Sequence, residues 1–298
     1  MRAAKVAIVT SAAGIEYDVD LPLIVDALRA DGVAAEVVTW DANGVEWGGF
    51  DLAVIRSTWD YSGRLDEFLA WADKAGRATR LWNPLSVVRW NSDKRYLPEL
   101  ARRGVAVVPT RVIDPGGRCE EADFARPTGV VVKPSVSAGA RDTARYEPGR
   151  HEDAARHARM LLDQGRSAMV QPYLPLVEEG ERALVFLAAE EGLTFSHAIC
   201  KQPVLTEPNM IDNFRDAHPG LAPYEPTGVE IRTALDALAA VPSPDALLFA
   251  RVDLALDDSR APVVMELELI EPNLFLQSDP RALERFVSAV AAVAADRP

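Results

Sequence analysis

The chain has 298 residues, 48% of them hydrophobic and 26% charged, an ordinary balance for a soluble globular protein long enough for two or three domains. Its formal charge of −13 argues against nucleic acid or an anionic membrane as the main partner, since both need a basic surface, so any anion must be met by a local basic pocket. Cys119 and Cys200 form neither a metal spacing nor a disulfide framework, no apolar run approaches the ~18 residues of a membrane span, and no leader pattern is seen, which predicts a reducing, cytoplasmic setting.

Residues 5 to 10 (KVAIVT) read as a buried strand, Leu21 to Ala30 as a helix, and Ala35 to Trp40 and Leu52 to Arg56 as two further strands. Strands alternating with helices predict a parallel sheet. Leu65 to Ala75 has the spacing of an amphipathic helix, and Arg80 to Pro84 ends a first domain over residues 1–85. The run Arg56-Ser57-Thr58-Trp59-Asp60-Tyr61 follows the third strand, where an open α/β sheet presents its ligand contacts. Arg56 suits a substrate carboxylate there, and Ser57, Thr58 and Tyr61 suit a polar amino acid. The segment reads equally well as Trp59 and Tyr61 in packing with Arg56 in a salt bridge.

A central unit over 86–172 begins with a helix at Lys94 to Arg103. It continues with a strand at Val105 to Ile113, a Pro-Gly-Gly turn, a strand at Val130 to Lys133, a helix at Asp153 to Gln164 and a strand at Ala168 to Tyr173. Only five lysines stand among 32 basic residues, so each carries information. Lys133 precedes Pro134-Ser135-Val136-Ser137-Ala138-Gly139-Ala140, small side chains that let backbone amides approach a phosphate beside the lysine charge. Such a run is more often a plain turn, and no Gly-Lys-Ser/Thr closes it as in a P-loop. Met169 to Leu174, followed by Gly180-Glu181-Arg182, crosses into the next unit. That crossing offers backbone groups to an adenine edge and a carboxylate to ribose hydroxyls, or is an ordinary linker.

The last unit, over 173–298, opens with a hairpin of Arg182 to Ala189 and Leu193 to Lys201. The Pro-, Asn- and Asp-rich stretch Gln202 to Gly228 is long for a structureless connection, and such loops are often lids. A helix at Val229 to Ala240, two apolar strands and a helix at Pro280 to Ala295 complete the chain. The two strands carry Arg251-x-Asp253 and Glu266-x-Glu268, and period-2 geometry puts each pair on one face. Three carboxylates and a guanidinium on one surface suit magnesium, with its hard oxygen ligands, and a phosphate or acyl phosphate held bidentately. An acidic hairpin face open to water is the alternative, disfavoured by the apolar character of both strands. His151, His157, His197 and His218 show no ligand or triad spacing and read as structural.

Together these features resemble the ATP-grasp superfamily, in its glutathione synthetase and D-alanine ligase branch, over residues 84 to 280. The resemblance implies an α/β protein with a Rossmann-like N-terminal domain followed by a two-part ATP-grasp α+β domain. It implies that Lys94, Lys133 and the Ser135, Ser137 and Gly139 loop hold ATP phosphates, that Gln171, Tyr173 and Leu174 meet adenine, and that Glu181 meets ribose. Lys201 would contact phosphate, Arg251 the acyl phosphate, and Asp253, Glu266 and Glu268 would ligate Mg2+. Glu268 departs from the family pattern, in which asparagine is usual. Arg56 to Tyr61, Asp212-Asn213-Phe214-Arg215 and Glu268 to Asn273 resemble the small bacterial ATP-grasp group that includes the cyclo-ligase of D-cycloserine biosynthesis. That likeness implies that Arg215 closes over the phosphates and that Asn273 lies at the substrate. The implied activity is carboxylate activation by ATP and closure of O-ureido-D-serine to D-cycloserine, with ADP, phosphate, carbon dioxide and ammonia released. An intermolecular amino-acid or peptide ligase and a non-catalytic ATP-binding protein are the alternatives. The expected partner is a small amino-acid-like substrate, with an assembly of identical chains left open.

Overall fold

The structure, a computed structural model, describes residues 3–190, 192–213, 220–243, 247–279 and 281–295. The apolar runs near the N-terminus become β1 (Lys5–Thr10), β2 (Ala34–Thr39), β3 (Leu52–Ser57) and β4 (Leu81–Trp82), a parallel sheet in the order β2-β1-β3-β4. β3 is buried along its whole length, as expected of a strand covered on both faces. A short helix, α1 (Ala12–Tyr17), follows β1 and was not expected, because six residues are too few to show a helical period. Ser11 caps it by accepting from Gly14 N at 3.0 Å, and glycine is required at position 14 because a Cβ would stand 2.3 Å from Ser57 O. α2 (Asp20–Ala30) buries Leu21, Ile24 and Leu28 on one face of the sheet, and α3 (Leu65–Ala78) buries Phe68, Trp71 and Ala72 on the other.

In the central unit, the single helix expected over 94–103 is two, α4 (Leu85–Asn91) and α5 (Tyr96–Arg102), with Lys94 in the turn between them. The expected strand over 105–113 is also divided. Only β5 (Arg111–Ile113) pairs in the central sheet, while Val108 N donates to Val264 O at 3.0 Å and Ala106 O accepts from Val264 N at 2.8 Å. Pro109, with no N–H to give a ladder, marks the place where the chain leaves one sheet for the other. With β6 (Val130–Pro134), β7 (Ala144–Tyr146) and β8 (Ala168–Pro172), the antiparallel central sheet runs β5-β8-β6-β7, covered by α6 (His151–Asp163) through Ala154, Ala158 and Leu161.

The expected hairpin forms as β9 (Glu181–Ala189) and β10 (Gly192–Lys201). β11 (Leu221–Tyr224) interrupts what was expected to be one long loop; it lies on the edge of the sheet, the position that tolerates its Pro223. α7 (Gly228–Ala239) precedes β12 (Phe249–Leu256) and β13 (Pro262–Glu268), and the antiparallel order is β11-β10-β9-β12-β13. α8 (Ala282–Ala295) returns to the N-terminal sheet. Its Phe286 and Val290 share one core with Ile24 and Leu28 of α2 and with Val185, Leu187 and Phe249 of the last sheet, so the first and last sheets are held by a common apolar layer. Among the described residues no helix is long and apolar enough to cross a membrane.

His157 is 4% exposed within the α6 core, its ring centroid 5.9 Å from that of Tyr146, and burial pulls its imidazole down to about 4 against the smaller pull of Asp142. A folded value below the unfolded one means the unfolded chain binds the extra proton, so this stabilisation is complete above pH ~6.5 and is lost as pH falls to ~4. The shift corresponds to about 3 kcal/mol. Urea denaturation of wild type between pH 7 and pH 4.5 is expected to show a steeper loss than His157→Phe; parallel curves would count against a buried neutral imidazole.

Candidate active site

β12 and β13 pair with Arg251 opposite Glu268 and Asp253 opposite Glu266, so alternation along both strands brings all four side chains to one face. On the neighbouring strands Lys201 of β10 stands opposite Glu181 of β9. Lys201 Nζ lies 2.6 Å from Asp253 Oδ2 and 2.9 Å from Glu181 Oε2. Arg251 clasps Asp253 with Nε and Nη2 at 2.8 and 2.9 Å, donates from Nη1 to Asn273 O at 2.9 Å, and pairs with Glu268. From the central unit Lys94 reaches over, its Nζ 3.2 Å from Glu266 Oε1 and 2.6 Å from Ser137 O.

This face forms the floor of a cavity of about 530 Å³ between the central and last sheets. Lys94, Lys133, Ser137, Gly139, Gln171, Tyr173, Leu174, Glu181, Lys201, Arg251, Asp253, Glu266, Glu268, Tyr61 and Asn273 all line it, residues separated by up to 212 positions in the chain. Pro203, Val204, Leu205 and Asn213 of the long loop form part of the wall as well. Asn213 and Asn209 fasten that loop across the cavity: Asn213 Oδ1 accepts from Asp142 N at 2.7 Å, and Asn209 Oδ1 accepts from Glu147 N at 3.0 Å. Arg215, Phe214 and His218 lie outside the described residues.

Charges in the cavity compensate one another closely. Burial pushes the Asp253 carboxyl upward, but the adjoining Arg251 and Lys201 outweigh it and hold the group well below the carboxylate range. Burial likewise opposes the charged forms of Lys201 and Arg251, yet Asp253 and its acidic neighbours raise both. Glu266 is held low by Lys94 and Lys133 against its burial. Glu268 is the exception: burial pushes it up to about 7, with Asp253 and Glu266 adding to the push against the pull of Arg251. Lys133 is 8% exposed, its ammonium makes no ion pair or hydrogen bond among the described residues, and burial lowers its affinity for the proton against the pull of Glu266. No cluster of three metal-ligating side chains stands ready-made among the described residues, because Lys94, Lys201 and Arg251 hold the carboxylates.

Several expected contacts are not on the wall. Arg56 is 1% exposed and faces Asp18 and Asp20 at 3.4 and 3.1 Å while donating to Pro272 O, so it is a buried structural cation, not a free carboxylate receptor. Ser57 bonds Thr10 and Ser11 at the end of β1, and Thr58 is fully buried with its carbonyl accepting from Tyr61 N. Neither is on the cavity wall, and Thr58 Oγ1 is buried without a hydrogen-bond partner among the described residues. Ser135 is also off the wall: its backbone carbonyl accepts from Lys94 N at 2.8 Å and its N–H goes to Ser167 O, which fixes the start of the small-residue loop. At the expected adenine edge, Tyr173 N donates to Gly129 O and Tyr173 O accepts from Thr128, so the backbone amide left for a base edge is that of Leu174.

Other residues emerge only from the structure. The buried amides of Asn83 and Asn91 act as extra rungs: Asn83 bonds Phe249 O, Leu269 O and Leu248 N, and Asn91 bonds Leu267 O and Leu269 N, each at 2.7–2.9 Å. They fix the ends of the strands that carry the charged face. Tyr17, Trp59 and Glu271 also line the cavity. The polar residues within the apolar runs around them are the sequence signal, but a lone Asn or Glu in such a run has many explanations.

Comparison with known proteins shows the family and the fold. Residues 6–83 match the family described as D-cycloserine synthetase DcsG, N-terminal domain. The cycloserine biosynthesis protein DcsG of Streptomyces lavendulae is 36% identical over 296 residues, covering 96% of this chain and 97% of that protein. The crystal structure of D-cycloserine synthetase DcsG superposes with a TM-score of 0.86 at 33% identity, over 98% of this chain and 100% of that one. The same fold recurs at 13% identity and a TM-score of 0.66 in the ATP complex of D-alanine-D-alanine ligase from Bacillus anthracis, over 99% of this chain and 97% of that one. By identity along nearly its whole length the chain belongs to the D-cycloserine synthetase DcsG family, and its fold is shared with an ATP-grasp protein of Sphaerobacter thermophilus and with D-alanine-D-alanine ligase.

Proposed function

We propose that the enzyme closes O-ureido-D-serine to D-cycloserine at the expense of ATP. The observation that supports this most directly is the charged face itself, in which Lys94, Lys133, Lys201 and Arg251 gather over Asp253, Glu266 and Glu268 in one cavity. A set of lysines and an arginine in a water-poor cleft stabilises charge on a transferring phosphoryl group and on an acyl phosphate. Asp253, Glu266 and Glu268 offer hard oxygen donors on one face; with incoming phosphates to take over the lysines and Arg251, they would hold magnesium, which when bound neutralises phosphate charge.

In the proposed reaction the substrate carboxylate forms an O–P bond to the γ-phosphorus and the bond to ADP breaks. The ureido nitrogen on oxygen then attacks the acyl carbon, forming the C–N bond, breaking the C–O bond to phosphate and giving up its proton. Water hydrolyses the carbamoyl group to carbon dioxide and ammonia. Within this scheme Arg251 meets the acyl phosphate, Lys133 and Lys94 the phosphates, and the loop carrying Asn213 covers the cleft. An intramolecular nucleophile gains an effective molarity on the order of 10⁵ M or more when held in line. We also propose a division at residues 1–85, 86–172 and 173–298, with nucleotide between the last two.

The test is product and nucleotide analysis with ATP, magnesium and O-ureido-D-serine as the sole acceptor. D-cycloserine, ADP and phosphate are expected in equal amounts, and hydroxylamine should trap a hydroxamate. AMP and pyrophosphate would indicate adenylation, and strict dependence on an added amine would indicate an intermolecular ligase.

A further inference from the structure

We propose that Glu271 is the receptor for the α-ammonium group of the amino-acid substrate. The proposal rests on the amino-acid ligase reading above and assigns the recognition that Arg56, buried among carboxylates, does not provide.

Apart from the exposed Arg141, each charged side chain on the cavity wall has an oppositely charged partner within 4 Å, save two. One is the cation Lys133 and the other is the anion Glu271. Lys133 stands beside the small-residue loop, where phosphates are expected. Glu271 shares the wall with Trp59, whose Nε1 donates to its carbonyl, with Tyr61, whose phenol feels its charge, and with Tyr17. A lone carboxylate on a wall that also carries indole and phenol rings suits an alkylammonium, which gains from a charge and from aromatic faces together. It does not suit a divalent ion, which needs about six oxygen ligands.

The segment is also held rigidly. Three successive backbone carbonyls are each pinned by a different side chain: Glu271 O by Trp59 Nε1 at 3.1 Å, Pro272 O by Arg56 Nη1, and Asn273 O by Arg251 Nη1 at 2.9 Å. Arg56 is therefore a positioning residue for this segment. Asn273 Oδ1 accepts from Phe275 N at 3.0 Å, tightening the following turn. Arg251 lines the same cavity and is tied to this segment through Asn273 O, so an ammonium bound to Glu271 would bring the substrate's own carboxyl, one carbon away, into the cavity that holds the residue expected to meet the acyl phosphate. Burial and Glu268, with Glu266 adding to them and Lys94 pulling the other way, make the empty site unfavourable for a charged Glu271, a cost that an incoming cation relieves.

The deciding experiment compares wild type with Glu271→Gln and Glu271→Asp on O-ureido-D-serine and on its des-amino counterpart, 3-(ureidooxy)propanoate, reading KM and kcat by ADP release. Glu271→Gln is expected to raise KM for the amino acid by about 10²-fold, as loss of a desolvated charge partner does, with KM for ATP within about twofold. Its effect on the des-amino acid should be small, and Glu271→Asp should recover part of the loss. The Gln variant should melt no lower than wild type, a result that a merely structural glutamate would not give. An unchanged KM, an equal loss with both acids, or a fall in kcat alone with a displaced pH profile overturns the assignment, the last by marking a proton-transfer group. Failure of the cyclisation reading looks different: wild type is silent on O-ureido-D-serine but releases ADP with another α-amino acid, and the same comparison with that acid and its des-amino form then decides Glu271. Wild-type enzyme that accepts only acids without an α-amino group overturns the proposal.

Discussion

Asp253→Asn is expected to lower kcat by about 10³-fold, the several kcal/mol that a bound metal's charge supplies to phosphoryl transfer, and to destabilise the ligand-free protein as well. The second effect follows from its surroundings. Asp253 is 2% exposed and holds both Lys201 and Arg251, two nearly buried cations that would lose their main counter-charge. Breaking such a buried pair from one side costs about 3–5 kcal/mol. A metal-ligand role alone would leave the melting curve of the ligand-free enzyme unchanged; the ion-pair network requires that it fall. Glu268→Gln is expected to lose turnover without that fall, because burial already disfavours the Glu268 carboxylate. Steady-state ADP release and urea unfolding of the two variants, without nucleotide, check both parts. Near wild-type rates in both would remove these residues from the metal site.

For Lys133→Met the two effects should have opposite signs. Lys133 is buried without an ion pair, and burial outweighs the attraction of Glu266 and Glu181, so replacing its ammonium by a thioether of similar length removes a desolvated charge and is expected to raise the melting temperature of the ligand-free chain. Affinity for a non-hydrolysable ATP analogue should fall by about 10²-fold, since the phosphates lose a desolvated charge partner. Arg251→Ala should instead act mainly on kcat, because the charge it meets develops during transfer. Calorimetric titration and thermal melting of the same samples make the comparison, and unchanged analogue affinity in Lys133→Met would remove this lysine from the phosphate site. A stable but non-binding Lys133 variant beside an unstable Asp253 variant would show that the cavity holds one charge in reserve for its ligand while the others stabilise each other.

The chemistry carried along a single strand was readable from the order of residues. Side chains alternate strictly in an extended chain, so Arg251 with Asp253 and Glu266 with Glu268 could be put on common faces before any fold was known, and the observed register brings those faces together. Lys94, Lys133 and Lys201 stood out because lysine is scarce in this chain, and all three reach the cavity. The parallel N-terminal sheet and the hairpin of β9 and β10 were equally legible, since long apolar or alternating runs report local geometry whatever lies beyond them. Partnership over distance was not. Nothing local distinguishes an Arg56 that meets a substrate from one that meets Asp18, 38 positions earlier, and Pro272 O, 216 positions later. Val107 bridges to Val264 of another sheet, the Leu221–Tyr224 strand pairs on the edge that β10 offers, and Glu271 stands among cations of the cavity without an ion pair to any of them. Periodicity specifies which way a side chain points from its own backbone, whereas the partner it meets depends on chain closure and packing, and those belong to the assembled molecule.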